Sequence, residues 1–178
     1  HIPFRSWCHV CVEAMGKEMD HRKDEGNERQ LPEYSWDYCF PGDELGFKWT
    51  VLVGKERLTG SCMASAVPMK GFTTGQFTVD KCLEFVEENG DKERDILVKS
   101  DQEPSMRYVI DDLLGARPDG RTIVEEAPRK SSGSNGVVER AVQEMEGEIR
   151  AIFLGLQDRL GVKVDVRERI VAFIFEYA

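Results

Sequence analysis

Tyr34-Ser35-Trp36-Asp37-Tyr38-Cys39-Phe40 is the stretch from which the rest of the chain can be read. It is rich in aromatics, which predicts a strand. Alternation places Trp36 and Tyr38 on one face and Asp37 on the other. A carboxylate in mid-strand is costly unless it is exposed or paired with a cation. Working outward, Pro41-Gly42-Asp43-Glu44 is a turn signal. Trp49 to Val53 reads as a second strand, and Ser61 to Val67 as a third, stopped by Pro68. Three strands joined by short loops suggest an antiparallel meander.

Beyond Pro68 the period changes. Val79, Leu83 and Val86 fall at helical spacing between Phe77 and Asn89, and Asn89-Gly90 is a stop. Ile96-Leu97-Val98 reads as a short buried strand. Pro104 suits the first turn of a helix carrying Met106, Val109, Ile110, Leu113 and Leu114 and ending at Gly115. Thr122 to Glu125 is a fifth strand, and Lys130 to Gly136 a flexible loop. Val138, Val142, Met145, Ile149, Ile152, Leu156 and Leu160 then form a seam along one long helix, predicted to face the core throughout. A last helix is expected from near Asp165. A meander followed by strands alternating with helices predicts an α/β fold, a five-stranded mixed sheet flanked by helices.

Composition bounds the class. The chain has 178 residues, 40% hydrophobic and 32% charged, enough for one packed domain with a small appendage. No run approaches the roughly 20 apolar residues of a membrane helix, and no signal peptide is visible. Five cysteines, an odd number, argue against a disulfide scaffold and for a reducing compartment. The start at His1 and the end in an apolar run, Ile170 to Phe175, read as a piece of a longer polypeptide. Residues 1–16 hold a Cys/His cluster, 17–30 a charged linker and 31–178 the main domain.

Three carboxylates stand out. Asp37 is mid-strand. Asp101 follows a buried strand at its carboxyl end, where open α/β sheets place their sites. Glu139 lies in the first turns of the long helix, one residue off its apolar seam. The three can converge if the first and fourth strands are neighbours and the helix packs across them. Convergent carboxylates repel unless divalent cations neutralise them, and a pair of Mg²⁺ ions so held promotes phosphoryl transfer. The bland reading is that all three are ordinary surface charges among 33 acidic residues.

Trp36-Asp37-Tyr38, Lys99-Ser100-Asp101-Gln102-Glu103-Pro104 and Ser134-Asn135-Gly136-Val137-Val138-Glu139-Arg140-Ala141 resemble the three catalytic blocks of a retroelement integrase core, nearest to the copia-like integrases of LTR retrotransposons. The separations, 64 and 38 residues, suit that family. The resemblance implies an RNase H-like fold and an Asp-Asp-Glu strand transferase using Mg²⁺ or Mn²⁺ on Asp37, Asp101 and Glu139. It also implies double-stranded DNA, both element ends and target, as partner, a homo-oligomer, and action in the nucleus after a cytoplasmic particle stage. Asp43 and Asp112 are assigned turn and helix-surface roles.

Cys8 and Cys11 form a Cys-x-x-Cys pair that can bite one Zn²⁺. Incidental reduced cysteines and a redox pair are the alternatives. The family resemblance makes His1, Cys8 and Cys11 the last three ligands of a His-His-Cys-Cys zinc module. Cys39, Cys62 and Cys82 read as packing residues.

A net charge of −9 is awkward for a DNA enzyme, because phosphate contacts dominate affinity. Arg129, Lys130, Asn135 and Arg140 are the local candidates for DNA contact, with Arg150 and Lys70 behind them; Arg140 could instead pair with Glu144. Two other functions stay open: an RNase H-like nuclease acting on RNA–DNA hybrids, and an inactive or domesticated binding and assembly module.

Overall fold

The computed structural model describes residues 31–41, 48–71, 76–100, 103–126 and 136–178. The cluster over 1–16, the linker over 17–30, most of the turn over 41–44 and the loop over 130–135 lie outside the described residues. The elements are β1 (Glu33–Cys39), β2 (Thr50–Glu56), β3 (Cys62–Val67), α1 (Phe77–Glu88), β4 (Ile96–Ser100), α2 (Pro104–Ala116), β5 (Thr122–Glu126), α3 (Gly136–Leu160) and α4 (Ile170–Tyr177). One five-stranded sheet has the order β3-β2-β1-β4-β5. The meander pairs antiparallel, while β1–β4 and β4–β5 pair parallel. The first and fourth strands are therefore neighbours, as the carboxylate constellation requires.

Alternation along β1 separates two cores. Tyr34, Trp36 and Tyr38, with Leu52, pack against Val79, Cys82, Phe85 and Val86 of α1 and Met106, Val109, Ile110 and Leu113 of α2. The Tyr34 ring stacks on Trp36 at 5.6 Å and meets Phe85 edge-on. On the opposite face, Cys39, Val51, Val53 and Ala64 pack against Ala141, Met145 and Ile149 of α3 and Val171, Ile174 and Phe175 of α4. Gly54, opposite Trp36 in the ladder, makes room for the indole: a Cβ there would lie 2.8 Å from Trp36 Nε1 and 2.7 Å from Met63 Cγ.

Some expectations change. The seam of α3 is buried only at Val138, Ala141, Met145 and Ile149, while Leu160 is 56% exposed. A 25-residue helix spans about 37 Å, and a seven-residue strand about 23 Å, so the helix overhangs the sheet. The last helix starts at Ile170, not near Asp165. The segment before it is tied down in irregular form. Trp49 Nε1 donates to Val166 O at 2.7 Å, and Asp165 Oδ1 takes the Arg167 N–H at 2.9 Å, a local bond that competes with helix. The middle helix runs one residue past Gly115, to Ala116. Cys62 is exposed at the start of β3, with the Lys55 ammonium 3.0 Å from its sulfur; Cys39 and Cys82 are buried as expected.

Buried charge is matched by partners. Arg117, 6% exposed, donates from Nη2 to the carbonyls of Asp91, Lys92 and Arg94 and from Nη1 to Thr122 Oγ1. Tyr34 Oη donates to Asp91 Oδ2 at 2.8 Å. The Glu56 carboxylate, 1% exposed, accepts the N–H groups of Leu58 and Thr59 and the Thr59 hydroxyl, closing the β2–β3 hairpin. Burial pushes its pKa up, and these donors outweigh burial to leave it below the ordinary carboxylate value.

Candidate functional site

Asp37 lies on the central strand opposite Val53 of β2. It shares pleat parity with Cys39, and Cys39, Val51 and Val53 all belong to the core under α3. Its carboxylate is thus on the α3 side of the sheet, away from the aromatic face, as alternation predicts. It is half-buried, and Oδ1 accepts the Tyr38 N–H at 2.7 Å.

The neighbouring Cys39 thiol reports on this region. Its pKa is pushed up to about 12, first by burial and then by the carboxylates of Glu146 and Asp37. Glu146 of α3 therefore acts on the same spot as Asp37. The sequence reading did not select Glu146. The available signal was its place seven residues beyond Glu139, two turns along the same helix flank.

Glu139 is exposed in the first turn of α3, and its neighbour Val138 is buried, so it sits just off the apolar seam as expected. A carboxylate there is favoured by the helix dipole. Arg140 beside it is exposed. α3 packs across β1 and β2 through Ala141, Met145 and Ile149, which carries its N-terminal half onto the Asp37 face.

The fourth strand completes the layout. β1 and β4 pair at Glu33↔Leu97, Tyr34↔Val98 and Ser35↔Lys99. β4 ends at Ser100, and α2 opens with Pro104 in its first turn. Asp101, Arg129, Lys130, Asn135, His1, Cys8 and Cys11 lie outside the described residues. Among the described residues, no three His, Cys, Asp or Glu side chains gather closely enough to hold a metal ion. Asp37 and Glu139 are thus placed on elements that pack together.

On the opposite, aromatic face of the sheet, Glu103 directly precedes α2. Its carboxylate takes the Lys70 ammonium at 2.6 Å. Burial pushes the Glu103 pKa up, and Lys70 outweighs it, leaving the carboxyl below its ordinary range. Lys70, expected as a secondary DNA contact, is already engaged in an ion pair. Asp112 is exposed on α2, in keeping with a surface role.

No protein-family model matches this sequence, and no curated protein matches it. Solved structures do. The simian T-cell lymphotropic virus intasome in complex with PP2A regulatory subunit B56 gamma is similar at 17% identity and a TM-score of 0.59, over 94% of this chain and 55% of that one. The catalytic core domain of BIV integrase matches at 16% identity and a TM-score of 0.44, over 67% of this chain and 69% of that one. The HTLV-2 integrase catalytic core domain in complex with magnesium, in its trimeric form, matches at 12% identity and a TM-score of 0.47, over 71% and 75%. At these identities the likeness is one of fold. The fold is RNase H-like, a five-stranded mixed sheet flanked by helices.

Proposed function

We propose that this chain is the catalytic core of a retroelement integrase, of the copia-like type, which processes DNA 3′ ends and joins them to target DNA through Asp37, Asp101 and Glu139. The observation that carries the reading is a register. All three recorded β1–β4 pairs differ by 64 residues, and so do Asp37 and Asp101. The spacing of the two aspartates thus equals the offset at which β1 and β4 pair, and the third carboxylate lies in the first turn of the helix that packs over β1.

The donor set fits a hard divalent cation. Three carboxylates supply only oxygen ligands, which suit Mg²⁺ or Mn²⁺ and would repel one another without it. When bound, such ions supply charge neutralisation and Lewis acidity for an in-line phosphoryl transfer. The chain's own part is placement. Asp37 presents a ligand from the central strand and Glu139 another from the start of α3, and Asp101 is assigned the third. Arg129, Lys130, Asn135 and Arg140 are assigned to DNA phosphates flanking the site. The enzyme acts as a homo-oligomer on element ends and target DNA, in the nucleus. His1, Cys8 and Cys11 are assigned to a Zn²⁺ site.

The test is calorimetric titration of Mn²⁺ and Mg²⁺ into the wild type, Asp37→Asn and Asp101→Asn. Binding by wild type that is lost in both variants, with unchanged thermal unfolding, supports one shared metal site. A well-folded wild type that binds neither ion overturns the assignment and favours an inactive or domesticated DNA-binding and assembly module. Comparing cleavage of an RNA–DNA hybrid with that of duplex DNA separates the integrase from a hybrid-directed nuclease.

A further inference from the structure

β3 is an edge strand of the sheet, and its outer side opens onto a groove of about 260 Å³ between α1 and α4. Glu56 N–H donates to Ser61 O at 2.9 Å, and the β2–β3 pairing continues in step from there through Lys55↔Cys62 to Thr50↔Val67. Alternate residues of an antiparallel pair bond across it. Met63, Ser65 and Val67 therefore turn N–H and C=O toward β2, while Cys62, Ala64 and Ala66 turn theirs outward. Among the described residues, no hydrogen bond reaches those outward groups. The groove is lined by Cys62 and Ser65 of β3, Lys81, Glu84 and Glu88 of α1 and Glu176 of α4. Glu176 joins α4 to α1 across the edge: Ser65 Oγ donates to its Oε1 at 3.1 Å, and Lys81 Nζ lies 3.6 Å from that oxygen and 2.9 Å from Glu84 Oε2. One ammonium thus serves two carboxylates, and Glu88 has no cationic partner among the described residues. Lys55, beyond Cys62, donates to Gly60 O at 2.6 Å. Carboxylates outnumber ammonium groups along this edge even with Lys55 included.

We infer that the free edge of β3 is a docking site for an extended basic segment of a partner protein, which adds to the sheet as a further strand and sets a lysine or arginine against Glu88. The site stands apart from the carboxylates of β1 and α3 and does not depend on their chemistry. An edge strand with untaken N–H and C=O groups is a template for another strand. In strand addition the main-chain bonds supply affinity, and alternate side chains supply selectivity. Here the outward groups of Cys62, Ala64 and Ala66 supply the first. The excess of carboxylates in the groove supplies the second, because it favours basic side chains and disfavours acidic ones.

The test is fluorescence anisotropy of the full chain with a fluorescein-labelled Lys-Thr-Lys-Thr-Lys-Thr peptide. Its counterpart N-methylated at every backbone nitrogen carries the same charge and cannot donate to a strand. In a chain of net charge −9, any cationic peptide is attracted, and this pair separates strand addition from charge alone. The parent peptide is expected to bind at least about tenfold more tightly than the N-methylated one, the worth of one or two hydrogen bonds. Ala64→Pro removes one outward donor, at a position where an edge strand tolerates proline, and is expected to weaken binding by about the same factor with the unfolding midpoint checked alongside. Glu88→Gln is expected to weaken it about threefold, the size of an exposed ion pair. No binding of the parent peptide overturns the docking site. Equal binding of the N-methylated peptide, or of Glu-Thr-Glu-Thr-Glu-Thr, overturns it too, and so does a folded Ala64→Pro variant with wild-type affinity. If Ala64→Pro fails to fold, the two peptides on the wild type decide the question by themselves.

Discussion

At the start of β1, Glu33 is 1% exposed and lies 3.2 Å from the Arg57 guanidinium and 3.4 Å from the Lys99 ammonium. Four residues on, Asp37 is half-buried and shares its surroundings with the Cys39 thiol and a second carboxylate, Glu146. The two acids occupy the same strand and the same face. The first is matched by cations, which is what burying a charge requires. The second accepts the Tyr38 N–H and lies, like Glu146, near the buried Cys39 thiol. The contrast separates a carboxylate that holds the fold together from one to which the proposed function assigns chemistry.

The sharpest way to break this contrast is to neutralise the candidate site. Asp37→Asn is expected to abolish metal binding and any metal-dependent DNA joining while leaving the unfolding midpoint close to that of wild type, because the half-buried amide can still accept the Tyr38 N–H. A large loss of stability would put Asp37 in the same class as Glu33.

Next in size, Arg117→Met should lower unfolding free energy by about 3 kcal/mol in urea titration, since three carbonyls lose their shared donor in a buried turn. Metal affinity should not change, because this network lies at the opposite end of the sheet from Asp37.

Gly54→Ala should cost about 2 kcal/mol, as the new methyl group overlaps Trp36 and Met63. Trp36 borders Asp37, so a fall in metal affinity accompanying that loss would show that the aromatic face positions the carboxylate.

The smallest effect concerns pH. The Glu56 pKa is lowered in the fold from its ordinary 4.5. A depressed carboxylate contributes stability that is present above its unfolded value and is lost as pH falls through its folded value. Glu56→Gln is expected to cost about 1 kcal/mol at neutral pH. The difference from wild type should shrink in unfolding curves taken below pH 4.5. A constant difference down to strongly acidic pH would show that Glu56 acts through packing alone.

Much of the fold could be read in advance because its signals are local. Alternating aromatics at Tyr34, Trp36 and Tyr38 mark a strand and its buried face, and Val79, Leu83 and Val86 mark a helix within a few residues of one another. The partners of buried charges could not be read this way. Arg117 bonds carbonyls 23 to 26 residues away, and Tyr34 reaches Asp91 across 57 residues. No pattern within a turn or a strand encodes such pairings. Glu146 escaped notice for a similar reason: on α3 it is one of several acids, and only packing against β1 distinguishes it from Glu148, which is exposed.

By itself, then, the sequence determined the order and kind of the elements, the apolar face of β1 and the residue types able to hold a hard cation, because side-chain periodicity and composition are properties of neighbouring residues. The tertiary structure decided which strands adjoin, that Asp37 faces α3, and that the β1–β4 register equals the spacing of the two aspartates. A period of two fixes which face a side chain takes and says nothing about what lies across from it. That is settled only when non-local burial of two apolar faces selects one pairing among many.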